Sequence, residues 1–325
     1  MARPGAVRST QFGAGASVST PIARDLVPVG RASARQGRWP IVTSPQRGEA
    51  GWGEAQVGEG TGGRQQVHPT PLSVCIITYN EAENLPRCLA SVAFADEIVV
   101  VDSESTDRTV DIARQAGCRV ISQPFLGYVA QKNLALQHAS HRWVLCLDAD
   151  EWLRSTAAAT IQEALATRTP DIAGYTLKRH TYYLGGWVNH SGWWPEYKIR
   201  LFDRQRGQWC GEALHEGIRV EGRVDHLDVE IGHQSYKDMA HHFSKLNTYT
   251  TIMARDLYER GAARVGVGTL VCHPMARFCR MFLLKGGWRE GVRGLLIASI
   301  GAFYVFAKYA KLWELQHGGQ PPPEG

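Results

Sequence analysis

The sequence predicts an α/β fold: a Rossmann-like, mostly parallel sheet, then a mixed sheet region, then a C-terminal helical segment. Three observations predict it. Four apolar runs, at residues 72–78, 97–101, 119–122 and 143–147, each lead through polar or Gly-rich residues toward a helical pattern. Two later stretches, 175–183 and 198–204, alternate as half-buried strands between loops rich in Trp, Gly and His. Residues 294–307 (GLLIASIGAFYVFA) carry no charge and are flanked by Arg289, Arg293, Lys308 and Lys311. A chain of 325 residues with 44% hydrophobic content can bury a sizeable core.

Residues 1–71 hold twelve Gly, seven Pro and no Lys, with no apolar period of 2 or 3.6, so they are expected to form a disordered leader. Order begins at Leu72, where LSVCIIT reads as a strand buried on both faces and is followed by a helix over about 83–92. The second strand ends at Asp102, and Ser103 to Asp107 supply N-cap residues for a helix that Gly117 stops. The third strand leads through Pro124 and Gly127 into a helix carrying Gln131, Lys132 and Asn133. The fourth, Trp143 to Leu147, ends in Asp148-Ala149-Asp150, with the next helix near Ser155. An amphipathic helix is expected over 238–261, with Pro274 opening the last segment. The boundaries that follow are a leader at 1–71, a first half at 72–170, a second half at 171–262 and a C-terminal segment at 263–325.

Ligands of open α/β sheets bind at the carboxyl ends of the strands. Those ends carry Thr78, Asn80 and Glu81, then Asp102 and Ser103, then Asp148 and Asp150. Acidic ends on three of the four strands converge on one edge, and the paired carboxylates of Asp148 and Asp150 suit a divalent cation that carries phosphates. No GxGxxG follows the first strand, so the dinucleotide cradle is missing. Asn80-Glu81-Ala82-Glu83 is acidic, whereas a nucleotidyltransferase would show a Gly-rich basic loop there. A non-catalytic protein binding a glycan or a membrane partner remains the other alternative.

Four motifs occur in order: Ile77-Thr78-Tyr79-Asn80-Glu81, then Val100-Val101-Asp102-Ser103-Glu104-Ser105-Thr106-Asp107, then Gln131-Lys132-Asn133, then Leu147-Asp148-Ala149-Asp150-Glu151. In these the chain resembles the family 2 glycosyltransferases of GT-A fold. Arg200-Leu201-Phe202, His215-Glu216 and the Lys308 to Glu314 stretch are similar to the branch containing lipopolysaccharide core β-1,4-glucosyltransferases. The resemblance implies a nucleotide-diphosphate sugar donor, held by Thr78, Asn80, Glu81, Asp102, Ser103, Asp107, Lys132, Asp148 and Arg200. It further implies Mg²⁺ or Mn²⁺ on Asp148 and Asp150, the latter thereby catalytic, and inversion by a carboxylate base, assigned to Glu216 with Glu212 and Glu151 as fallbacks. Residues 72–170 would then form the nucleotide-sugar half and 171–262 the acceptor half. Trp187, Trp193 and Trp194 in a Gly-rich loop, with His215, are expected to meet the acceptor. His233 and the pair His241-His242 show no regular ligand spacing and are not assigned.

The net charge of +5 is concentrated in the two end segments, 1–71 and 277–311, which leaves the middle acidic. Basic residues would surround the site of a nucleic-acid enzyme, so no nucleic acid is expected as partner. Seven scattered Cys without a CxxC pair, and no apolar signal region at the N-terminus, indicate a reducing cytoplasmic compartment. Fourteen uncharged residues rise only about 21 Å as a helix, short of the roughly 30 Å hydrocarbon core. The segment is therefore expected to lie on the inner face of the cytoplasmic membrane, presenting the enzyme to a lipid-linked saccharide.

Overall fold

The computed structural model describes residues 70–211 and 216–318. The expectations placed on the leader, Glu212 and His215 lie outside the described residues, apart from the last two positions of the leader, Thr70 and Pro71.

The first four strands are β1 (Leu72–Thr78), β2 (Glu97–Asp102), β3 (Arg119–Ser122) and β4 (Trp143–Asp148). They run parallel in the order β3-β2-β1-β4. The helices between them are α1 (Leu85–Ser91), α2 (Thr109–Gln115) and α3 (Tyr128–His138). Gly117 stops α2 at a φ of 75°, in the left-handed region that glycine enters without steric cost. Alternate strand side chains serve two cores. Val74, Ile76, Val100, Leu145 and Leu147 pack with α1, while Cys75, Val101, Val144 and Cys146 pack with α3. Burial on both faces explains why β1, β2 and β4 carry continuous apolar runs.

Beyond β4 the sheet becomes mixed. A short strand, β5 (Glu151–Leu153), follows the aspartates where the sequence suggests only a turn, and α4 (Ala157–Thr167) comes next. Then come β6 (Ile172–Tyr183), β7 (Gly186–Trp187), β8 (Glu196–Asp203), β9 (Gly207–Cys210), β10 (Gly217–Val220) and β11 (Arg223–His233). The main path reads β3-β2-β1-β4-β8-β6-β11-β5, with β7 on β6, while β9 and β10 form a separate ribbon. β8 is antiparallel to both β4 and β6, β11 is parallel to β6, and β5 is antiparallel to β11. The two halves of the sequence thus share one sheet.

The C-terminal part holds α5 (Met239–Glu259), α6 (Val267–Cys279) and α7 (Val292–His317). Asp238 caps α5 by accepting from the His241 amide. Two sequence expectations change here. Pro274 lies inside α6 and does not open a segment. The amide it lacks frees the Leu270 carbonyl on a helix without a buried residue, where water can meet it. The uncharged run is likewise only part of α7, whose 26 residues rise about 39 Å. By length and composition this helix could cross a membrane, although Ile297, Ala298, Ile300 and Leu312 are buried against the protein. The flanking Lys311 does not end it, because its ammonium donates to the Asn247 carbonyl, Thr250 and Thr251 of α5.

Candidate active site

Parallel register brings Thr78, Asp102 and Ser122 to one level, with Asp148 beside Ile77. The loops after β1 and β2 are stitched together at this edge. Asn80 takes a φ of 54°, a left-handed conformation that Asn tolerates, and its side-chain carbonyl accepts from the Thr106 amide at 2.8 Å. The Asn80 amide donates to Ser105 Oγ, and Ser105 gives both its amide and its hydroxyl to Asp102. Burial works to raise the Asp107 carboxyl, but it accepts from both donors of Thr109 and from the Ala82 amide, and together these hold it below the usual carboxylate range. Asp102 and Asp107, expected at the donor, therefore spend oxygens on the loop's own donors and give it its shape. Glu81 is half-buried and accepts from the Asn84 side chain. Thr78 Oγ1 is buried and meets no hydrogen-bond partner among the described residues, so it is available to a ligand at this edge.

The three residues of the Gln131-Lys132-Asn133 motif each do something different. Gln131 donates to Ser103 Oγ and the Gln123 carbonyl, fixing the β2 loop against α3. Asn133 exchanges two 3.0 Å hydrogen bonds with the backbone of Trp209, which holds β9 to α3. Between them the buried Lys132 ammonium reaches Asp148 Oδ1 at 2.9 Å and Glu216 Oε1 at 3.2 Å, over the Trp209 ring. One cation thus joins a carboxylate of the first half to a carboxylate of the second.

The motif aspartates differ sharply. Asp148 also meets Arg200 through Oδ2 at 3.1 Å, and Lys132 and Arg200 together hold its carboxyl far below the usual range, overcoming burial. Asp150 instead faces His233 Nε2 at 3.7 Å, and burial pushes its carboxyl up, with His233 opposing in part. Burial also lowers His233, which keeps the ring neutral and able to ligate. Among the described residues no group of three or more His, Cys, Asp or Glu side chains is gathered around a metal position. Asp150 and His233 still fit one: two protein ligands suit a Mg²⁺ or Mn²⁺ ion whose remaining positions go to diphosphate oxygens and water, and the imidazole favours Mn²⁺. Asp148, expected as the second ligand, is held by two cations. His233 has no sequence signal of its own. It reaches the site because β11 pairs with β5, setting it opposite Glu151.

Of the two roles the sequence leaves open for Arg200, phosphate contact and structural pairing, the structure displays the second: it is buried and pairs with Glu151 at 2.7 Å and with Asp148. Glu151, a fallback base, is fully buried between Arg200 and Arg179 and accepts from the Asp148 amide, which makes it part of the framework. Glu216 keeps 21% of its side chain exposed beside Lys132. Of the Trp residues expected to meet an acceptor, Trp193 packs into a core with Tyr183, Val188 and Met281 and is not a free stacking face. Trp194 stacks on His180, with ring centres 4.0 Å apart. Trp187 lies beside Trp152 and His180 and stays partly exposed.

Residues 73–219 match the model of Glycosyl transferase family 2. A lipopolysaccharide core biosynthesis glycosyltransferase, LpsC, of Rhizobium meliloti is 33% identical over 251 residues, covering 75% of this chain and 92% of that protein. An uncharacterized glycosyltransferase of Rickettsia typhi is 31% identical over 260 residues, covering 75% and 87%. Among solved structures, the mannosyltransferase PcManGT of Pyrobaculum calidifontis, in complex with GDP-Man and Mn²⁺, aligns over 76% of this chain and 89% of its own, at 16% identity and a TM-score of 0.45. The sheet is of GT-A type, and the chain belongs to glycosyl transferase family 2.

Proposed function

We propose that the chain moves a hexose, glucose from a uridine diphosphate donor, to a lipid-linked saccharide such as lipopolysaccharide core, with inversion and with help from a divalent metal. The observation that carries this reading is the Asp148–Lys132–Glu216 chain beside Asp150 and His233. The first half supplies charge for a diphosphate, and the second half brings a carboxylate to the same spot. The relative named for core biosynthesis supports the acceptor class. Glucose rests on the sequence resemblance beyond Arg200.

In this reading the loop held by Asp102, Ser105 and Asp107 shapes the nucleotide site, where Thr78 Oγ1 and Glu81 meet base and ribose. Asp150 and His233 hold the metal. When bound, the ion neutralises charge on the departing diphosphate. Lys132 keeps Asp148 charged and holds Glu216 in place, and Glu216 takes the proton of the acceptor hydroxyl. Trp187 offers its open face to the acceptor sugar. Residues 72–170 and 171–262 act as donor and acceptor halves. The enzyme works on the cytoplasmic face of the inner membrane, to which its C-terminal segment holds it.

A panel of nucleotide sugars incubated with extracted lipid-linked glycans and read by mass spectrometry tests the proposal. A hexose mass increment with the uridine diphosphate donor supports it. Turnover of no nucleotide sugar would overturn it.

A further inference from the structure

The connection between α6 and α7 has two sides that the reaction does not use. A π-helical turn, Arg280–Leu284, continues α6, and a 3-10 turn, Gly287–Glu290, precedes α7. Outward it presents Leu283 at 57%, Leu284 at 82%, Trp288 at 56% and Val292 at 74% exposure. Val267, Val271 and Met275 add further exposed apolar side chains along α6. Single exposed apolar residues are ordinary, but a group this dense marks a contact surface.

Charge says what it contacts. Arg280, Lys285 and Arg289 are exposed among these residues. From position 260 to 313 the only acidic residue is Glu290, and it turns inward, accepting from the Asn189 amide and facing His190 Nδ1, each at 2.8 Å. The outer surface is apolar and cationic with no carboxylate of its own, which complements an anionic phospholipid leaflet.

The inner side grips the acceptor loop at 184–195. The Ser191 amide donates to the Lys285 carbonyl at 2.9 Å, Glu290 holds Asn189 and His190, and Arg293 donates to the Trp187 carbonyl at 3.1 Å. The turn fits closely: a Cβ on Gly287 would stand 2.7 Å from both the Met281 carbonyl oxygen and Ser191 Oγ.

We propose that residues 280–292 are a membrane foot that inserts Leu283, Leu284, Trp288 and Val292 into one anionic leaflet and thereby sets the pose of the 184–195 loop at the lipid surface. The link to an acceptor rests on the lipid-linked reading above; lipid binding itself does not. α7 stays on one side of the bilayer, because Lys311 ties it to α5, whose Arg255, Asp256 and Glu259 would have to follow it into hydrocarbon. The basic flanks also divide. Arg293 and Lys311 have inward partners, so Arg280, Lys285 and Arg289 face the headgroups.

The test uses the full chain with vesicles of phosphatidylcholine alone or mixed with phosphatidylglycerol. Co-sedimentation should occur with the mixed vesicles only. Leu283→Ser/Leu284→Ser should weaken it at least about tenfold, and Arg280→Gln/Lys285→Gln/Arg289→Gln about a hundredfold. Lys311→Gln should sediment as the wild type does. Hydrogen exchange on vesicle addition should slow at both 283–292 and 184–195, and Glu290→Gln should keep the first protection and lose the second. Wild-type binding by the double Leu variant, equal binding to neutral vesicles, or pelleting that resists alkaline extraction would overturn the membrane foot. Wild-type protection confined to 283–292 would overturn its coupling to the loop. None of these readouts needs turnover, so a failed foot and a failed transferase reading are told apart.

Discussion

Glu151→Gln separates a framework carboxylate from a catalytic one. The side chain is fully buried, 2.7 Å from Arg200 and 3.2 Å from Arg179, and it also accepts from the Asp148 amide. Gln keeps the shape and removes the charge, leaving a buried guanidinium with one fewer counter-ion. Breaking a buried pair from one side typically costs about 3–5 kcal/mol. For a domain of this size each kcal/mol lowers the melting temperature by roughly 2–4 °C, so the midpoint should fall by roughly 10 °C. The acid limb should change too. Burial works to raise the Glu151 carboxyl, and Arg200 and Arg179 hold it below its ordinary value of 4.5 nonetheless. Its stabilisation is therefore present above that value and lost as pH falls through the depressed one. Thermal unfolding by circular dichroism at neutral and acid pH would show a lower midpoint and a shallower acid decline in the variant. An unchanged midpoint together with abolished turnover would refute the reasoning and make Glu151 the base.

Asp150→Ala should abolish transfer with a change in melting temperature of no more than a few degrees, and chelation by EDTA should reproduce the loss; full activity in the chelated enzyme would remove the metal from the account. Asp148→Asn should lose both activity and stability, since Lys132 and Arg200 depend on its charge, and a midpoint equal to wild type would contradict that. Gly294→Ala should destabilise the α6–α7 turn by at least about 2 kcal/mol in denaturant titration, because the new Cβ would stand 1.8 Å from the Gly287 carbonyl oxygen.

β1, β2 and β4 and their polar ends are legible in the sequence because each is largely buried and ends abruptly, while the edge strand β3, with no buried residue, is read from its place between two helices. What the sequence hides depends on pairing at a distance. Glu151-Trp152-Leu153 is too short to read as a strand and becomes one only against β11, where Gly232 leaves room for the Trp152 ring; a Cβ there would lie 2.4 Å from it. The same pairing carries His233 to Asp150. Arg200 can be picked out from its motif, but its partners cannot, because the direction of Glu151 is set by the sheet. In sequence Trp193 is a candidate acceptor contact in a Gly-rich loop, and Lys311 a basic flank of an apolar run. Tertiary packing gives the first a core position and the second four acceptors on α5.

The most direct test of the central claim is the anomeric configuration of the product formed from uridine diphosphate glucose and an extracted lipid-linked core glycan, read by NMR for the wild type and for Glu216→Gln. A single displacement with Glu216 as base predicts a β linkage, with turnover in Glu216→Gln reduced at least about a hundredfold while donor binding is kept. An α-linked product, or a wild-type rate in Glu216→Gln, would contradict it.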